Sequence, residues 1–329
     1  MHRSVPLVSV IICTYDPNEH TLDWVLANLA QQTLSSREFE VVVVDNNSPK
    51  PLQAEPLQRG RSLNLRVVRE PRQGQLYARC RGIMESAAPL LVFVDDDNGL
   101  AANYLEEAAR ISRQEPGLGA FGGITKLLTD LRIPEWKIKL LPYLGVRDYG
   151  PKPITSNRTE WGEWEPIGAG MVFRRDVGLK FVEAAETEPE ARNLGRRGGS
   201  YIGGEDSFLA RVACQAGYSC SYQPSLQLTH FIKGSRMRAR ALAKTIQGCA
   251  ESWVINERLC GRPPIRPSWF GILRELYVRL RYRTRQRGFK QGAVEWFWDV
   301  GYFRQVRATA CRATSVRTNP RQHSARTGG

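Results

Sequence analysis

The chain lacks several features that would settle its class at once. No stretch approaches the ~18 consecutive apolar residues of a membrane span, and Met1 to Leu7 is without the apolar run of a secretory leader, so a cytoplasmic protein is expected. Seven cysteines (Cys13, Cys80, Cys214, Cys220, Cys249, Cys260, Cys311) include no C-x-x-C pair, and no histidine stands at zinc-ligand spacing; reduced, mostly buried thiols are the expectation. Neither internal repeats nor low-complexity tracts occur before Pro264. The first polar turn, CTYDPNEH, contains no glycine, which removes the G-x-G-x-x-G pyrophosphate loop of a nicotinamide-dependent dehydrogenase.

Acidic residues are scarce at one end. From Gly261 to Gly329 only Glu275, Glu295 and Asp299 stand against fifteen Lys and Arg, so +12 of the net +14 lies there. The first 260 residues are nearly neutral, and basicity is a property of the tail. A basic nucleic-acid- or membrane-binding module would explain that tail but not the acids described below, and no nucleic-acid partner is expected.

What is present is a length of 329 residues and a 42% hydrophobic composition, ample for a large core. Val8–Cys13, Glu40–Val44, Leu65–Arg69 and Leu90–Val94 are short apolar runs rich in β-branched residues, as buried parallel strands are. Leu22, Val25, Leu26 and Leu29 recur at helical spacing between the first two, and Gln75 to Ser86 is helix-compatible. This alternation predicts an α/β fold with a Rossmann-like, mostly parallel sheet flanked by helices. The Trp-, Pro- and Gly-rich segment from Pro134 to Pro166 is expected as long loops. Beyond it, a helix is predicted from about Ser207 to Ala216, then strand-like CSYQP and LQLTHFI.

Ligands of a parallel α/β sheet bind beyond the carboxyl ends of its strands. Here those ends are polar and acidic: Thr14, Tyr15 and Asp16 after the first, Asp45 to Ser48 after the second, Asp95, Asp96, Asp97 and Asn98 after the fourth. Carboxylates 4 Å apart repel by ~1 kcal/mol in water and ~4 at a partly shielded site, so three in a row call for a counterion. Oxygen ligands suit a hard divalent cation, Mg²⁺ or Mn²⁺, completed by substrate phosphates. The alternative is that the aspartates merely cap a turn.

These segments resemble family 2 of the glycosyltransferases, the inverting enzymes with the GT-A fold, over roughly Pro6 to Arg240. VSVIICTYD is similar to the family's first strand and nucleotide-contacting turn, VVVVDNNS to its second strand, and FVDDDN to its D-x-D motif. The resemblance implies that Asp95 and Asp97 hold the metal, that Thr14, Tyr15 and Asp45 face the nucleoside, and that Asp95 and Asp96 meet the nucleotide sugar. GQLYARCRG is similar to the family's glycine-then-Ala-Arg helix and brings Arg79 to the donor, although Cys80 stands where Asn is more usual. GGEDSFLARV resembles the E-D motif, with Glu205 and Asp206 as catalytic residues. Direct displacement needs one carboxylate to accept the acceptor's proton, and Asp206 is the choice, with helix capping as its other reading. A carboxylate at a helix N-terminus is a weak base, so the proton moves late, driven by the leaving group.

His230 followed by Arg236 in THFIKGSRMRAR resembles the segment that closes over the diphosphate, which implies a metal or phosphate contact for His230 and a phosphate contact for Arg236. Trp161 and Trp164 are read either as faces for an acceptor sugar, with Glu163 and Glu165 flanking them, or as ordinary packing. Gly168 and Gly170 would let the chain pass close to that acceptor. The expected partners are a nucleotide-sugar donor, UDP-linked by default, and a glycan or lipid-linked acceptor in surface polysaccharide or glycan synthesis. A nucleotidyltransferase is the nearest enzymatic rival but lacks its glycine-rich first loop.

Three parts are therefore expected: a GT-A catalytic domain over 1–260, a basic, aromatic-rich helical extension over 261–308, and a disordered tail over 309–329. In the extension, Trp269, Ile272, Leu273, Leu276, Tyr277 and Leu280 form an apolar stripe at i, i+3, i+4 spacing. Residues 265–308 either lie on an anionic membrane face or pack on the domain.

Overall fold

The structure, a computed structural model, describes residues 5–316. Four strands, β1 (Val8–Thr14), β2 (Phe39–Asp45), β3 (Leu65–Arg69) and β4 (Leu90–Asp95), alternate with helices α1 (Glu19–Ala30), α2 (Ala54–Gln58) and α3 (Gln75–Glu85). There follow β5 (Asn98–Leu100), α4 (Tyr104–Gln114), β6 (Leu118–Leu128), α5 (Glu135–Ile138), β7 (Ile154–Ser156), β8 (Val172–Arg174) and α6 (Arg175–Thr187). The described residues end with α7 (Glu205–Gln215), β9 (Ser219–Phe231), α8 (Ala239–Leu259), α9 (Trp269–Arg287) and α10 (Phe289–Val316).

The sheet runs β3-β2-β1-β4-β8-β6-β9-β5, with β7 on β9. Strands β1 to β4 are parallel and β8 is antiparallel to both its neighbours, giving the expected mixed, mostly parallel sheet with a C-terminal helical extension. Register fixes the site. Thr14 lies opposite Asp45, and Cys13 opposite Asp95, so the polar ends of β1, β2 and β4 share one rim.

Both faces of the strands are apolar because helices cover both. Val8, Val10, Ile12, Val41, Val43, Val92 and Val94 pack against α1 and α4, while Ile11, Val42, Val44, Leu91 and Phe93 pack against α3, α6 and α7. A third cluster joins Leu140, Leu144, Ile232, Met237, Leu242, Ile246 and Val294, with Trp136 and Trp298 against it. The segment from Pro134 to Pro166 is thus more than loop: it supplies α5, a 3-10 turn at Leu141–Leu144 and β7. Its apolar residues follow no period because they meet α8 and α10 rather than a sheet. CSYQP and LQLTHFI form one strand, β9, and its register on β6 slips between Gly122 and Ile124, where Pro224 has no N–H to give.

Helix α10 continues past Ala308 to Val316, and the rest of the expected disordered tail, 317–329, lies outside the described residues. Among the described cysteines all are free thiols; Cys80 and Cys220 are buried and the other four only half-buried, fewer than expected. No described helix is long and apolar enough to cross a membrane.

Close approach of α3 to the sheet depends on Gly82. A Cβ there would lie 2.3 Å from Ile11 Cγ2 and 3.2 Å from Val44 Cγ2. Gly82→Ala is expected to destabilise the chain by about 1–3 kcal/mol through overpacking, read as a lower urea midpoint. A midpoint equal to the wild type would mean that the helix can move away freely.

Candidate active site

The rim carries one buried cation among several acids. Arg79, on the inward face of α3, lies with its guanidinium 4.6 Å over the Phe93 ring. Its Nη1 is 3.0 Å from Glu205 Oε1 and its Nη2 is 3.5 Å from Asp95 Oδ1, with the Arg79 and Glu205 side chains both 3% exposed. Burial opposes the charge on Arg79, but Glu205, Asp95 and Asp206 outweigh it and raise its pKa further. Burial pushes the Glu205 carboxyl up, with Arg79 opposing and Asp206 adding to the rise. Gly168 leaves room for this arrangement, since a Cβ there would sit 2.2 Å from Arg79 Nη2.

Helix α7 begins differently from the expectation. Its N-cap is Gly204, in the left-handed region at φ 81, and Glu205 is already helical. Asp206 therefore does not cap the helix; its Oδ1 accepts from Ser207 N at 2.9 Å and its Oδ2 from Gly168 N at 2.7 Å. That second bond draws the Gly168–Gly170 turn onto the E-D segment. Gly170 is also left-handed, and its carbonyl accepts the Tyr104 hydroxyl at 2.5 Å.

At the end of β4 the three aspartates diverge. Asp96 accepts a hydrogen bond from the Thr14 hydroxyl, and burial, aided by Asp97 and Asp95, pushes its carboxyl up to about 6 against that bond. Asp97 Oδ1 lies 3.3 Å from His230 Nε2 and its Oδ2 accepts from Arg236 Nη1 at 3.0 Å. Burial works against the Asp97 charge, but the bond from His230 and the charges of His230 and Arg236 prevail, holding its carboxyl below the usual range. His230 reaches this point because β5 pairs with β9, Asn98 opposite His230. Its Nδ1 is buried with no hydrogen-bond partner among the described residues.

Carboxylate oxygens of Asp95 and Asp97 with one imidazole form a set that a hard divalent ion accepts. Among the described residues no three His, Cys, Asp or Glu groups converge to hold an ion unaided. Phosphate oxygens would have to complete the shell, as Mg²⁺ sites usually require.

Other sequence-marked residues fall in different places. Asp45 is buried, and its oxygens take the backbone N–H groups of Ser48 at 2.9 Å and Leu52 at 3.3 Å, so it shapes its own turn. Tyr15 is exposed on the rim. Trp161 is 60% exposed, whereas Trp164 packs on the core beneath α7 with the Arg158 guanidinium 4.5 Å over its ring, leaving only Trp161 a free face. Glu165 does not flank a sugar surface: it is buried, accepts Ser207 Oγ at 2.5 Å and lies 3.8 Å from Arg211. Arg211 in turn donates to Glu257 at 2.9 Å.

Two contributors were given no role from the sequence, although Asn46 stands in the polar end of the second strand. Asn46 accepts from Gly74 N at 2.8 Å and donates to Arg72 O at 2.7 Å, tying β2 to the start of α3. Arg196 is exposed on the loop before α7, and its charge acts on both Asp97 and Glu205. The run GRRGG ahead of GGED was its available signal.

The family description "Glycosyl transferase family 2" matches residues 9–178. Glycosyltransferase AglE of Haloferax volcanii is 32% identical over 108 residues, 32% of this chain and 35% of that protein. Validoxylamine A glucosyltransferase of Streptomyces hygroscopicus subsp. limoneus is 37% identical over 93 residues, 28% of this chain and 20% of that protein. The matches thus span only about a third and a fifth of those relatives. Among solved structures, a mannosyltransferase from Pyrobaculum calidifontis in complex with GDP-Man and Mn²⁺ superposes with a TM-score of 0.54 at 17% identity, covering 96% of this chain and 77% of that one. The fold is accordingly of GT-A type.

Glu165 gives this region a pH signature. Burial raises its carboxyl from the ordinary 4.5 to about 7, against Arg211 and the Ser207 bond and with Asp206 adding to the rise. The folded chain then keeps a proton that the unfolded chain releases, so the stability from this group is complete below about pH 4.5 and is lost as pH rises toward 7. Glu165→Gln is expected to flatten the decline of Tm across that window, followed by calorimetry. An unchanged slope would contradict this assignment.

Proposed function

The chain belongs to glycosyl transferase family 2, and from that premise we propose that it moves a sugar from a nucleotide diphosphate, UDP by default, onto an acceptor hydroxyl with inversion at the anomeric carbon. The observation that supports this most directly is the Arg79 bridge, which joins the acids at the end of β4 to the acid pair opening α7.

Asp206 is the general base. Its two oxygens accept backbone N–H groups, which fix the direction of the carboxylate, and it stands half-exposed where an acceptor can reach it. Glu205 is its buried neighbour, ion-paired to Arg79, and holds the start of α7 toward the donor side. Thr14, Tyr15 and Asp45 belong to the nucleoside side, with Thr14 also fixing Asp96. Arg236 and the neighbouring Arg196 bring positive charge to the diphosphate. Trp161 offers its exposed face to the acceptor, and the Gly168–Gly170 turn lines the approach to Asp206.

Asp95, Asp97 and His230 would hold a divalent cation, Mn²⁺ or Mg²⁺, which when bound neutralises charge developing on the departing diphosphate. The acceptor is a glycan or a lipid-linked sugar, in surface polysaccharide or glycan synthesis. Two substitutions separate the roles. Asp206→Asn is expected to lower kcat by at least about a hundredfold while calorimetry finds sugar-nucleotide binding intact. Asp97→Ala is expected to weaken binding of the sugar nucleotide when Mn²⁺ is present. Near-normal turnover in Asp206→Asn would remove the base assignment.

A further inference from the structure

The basic residues of α9 and its immediate flanks divide into two groups. Those facing α10 are neutralised: Arg279 and Arg283 donate to Asp299 at 3.0 and 2.7 Å, and Arg287 donates to Glu295 at 2.6 Å. Both acids are buried. Glu275, the one acid within α9 itself, pairs with Arg279 at 3.3 Å. Arg266, Arg274, Arg281, Arg285 and Lys290 stay exposed, and none has a carboxylate partner among the described residues.

Beside these charges α9 exposes large apolar side chains. Phe270 is 80%, Leu273 63% and Tyr277 61% exposed, while Ile272 is the hydrophobic residue that α9 buries. Spacing of i, i+3, i+7 sets Phe270, Leu273 and Tyr277 in one strip, and spacing of i, i+7, i+11 sets Arg274, Arg281 and Arg285 in the adjoining row. Arg281 donates to the Tyr277 hydroxyl at 3.1 Å, so strip and row are in contact. The aromatics of α10 are used differently: Trp298 lies 6.1 Å from Tyr143, and Tyr302 lies 6.0 Å from Trp253 on α8.

We propose that this face of α9 docks on an anionic lipid bilayer, the apolar strip entering the headgroup–acyl boundary and the arginine row lying on lipid phosphates. Charge selects the partner. A second copy of the same face would bring two unneutralised arginine rows together, and a nucleic acid would use the arginines but leave Leu273 and Val278 exposed. A bilayer with anionic headgroups satisfies both features at once. The surface is separate from the transfer chemistry and stands whichever donor is used.

The test is flotation of the full chain with vesicles of phosphatidylcholine alone or with roughly a third phosphatidylglycerol. The wild type is expected to float with the anionic vesicles and to be released by salt. Arg274→Gln, Arg281→Gln and Arg285→Gln together should weaken binding about a hundredfold, and Leu273→Asp by about tenfold or more, with circular-dichroism melting curves like the wild type's. The proposal is overturned if partition is the same for neutral and anionic vesicles, or if neither variant reduces it. Light scattering that finds a dimer dissolved by Leu273→Asp, with no vesicle binding, would assign the face to self-association. Tighter retention on single-stranded RNA than on vesicles, sensitive to the arginines alone, would also overturn it.

Discussion

A buried guanidinium between carboxylates from two distant segments is the constraint on which the site depends. Arg79 contacts Glu205 and approaches Asp95, while Asp206 lies close enough for its charge to act on both Arg79 and Glu205. Without the cation, these acids would face one another in a poorly solvated rim at a cost of several kcal/mol. With it, the end of β4 and the start of α7 are held in one place. Asn46 and Gly82 serve the same end, the first by fixing the entry to α3 and the second by letting α3 lie against Ile11.

The same logic of paired charge extends outward in a graded way. Arg211 of α7, Glu257 of α8 and Arg262 form a chain of ion pairs, and Asp299 and Glu295 pin α9 to α10. Inside, arginine is structural, planar and multiply bonded. On the outer face of α9 it has no carboxylate partner among the described residues and is available to another body.

Strands β1 to β4, α1, α3 and the acids of the rim were legible because their signals are local: β-branched runs, helical spacing, and polar residues directly after each run. The strand limits differed from the structure by a residue or so at the ends. What was not legible depends on distant partners. Glu165 looked like a sugar-facing carboxylate until Arg211 and Ser207, from α7, were seen to enclose it. Capping stood as the other reading of Asp206 because Asp is favoured there, but two glycines precede the helix and the second takes the left-handed turn. The apolar residues between Pro134 and Pro166 obeyed no period because their partners lie on α8 and α10. In the tail, composition revealed the excess of arginine but not which arginines are consumed by buried acids.

A double-mutant cycle on Arg79 and Glu205, read as unfolding free energies in urea, tests the central claim most directly. Arg79→Met and Glu205→Leu should each destabilise the chain by about 3–5 kcal/mol, and the double variant should be no less stable than the worse single, giving a coupling above about 2 kcal/mol. Additive losses, with no coupling between the two positions, would contradict the account.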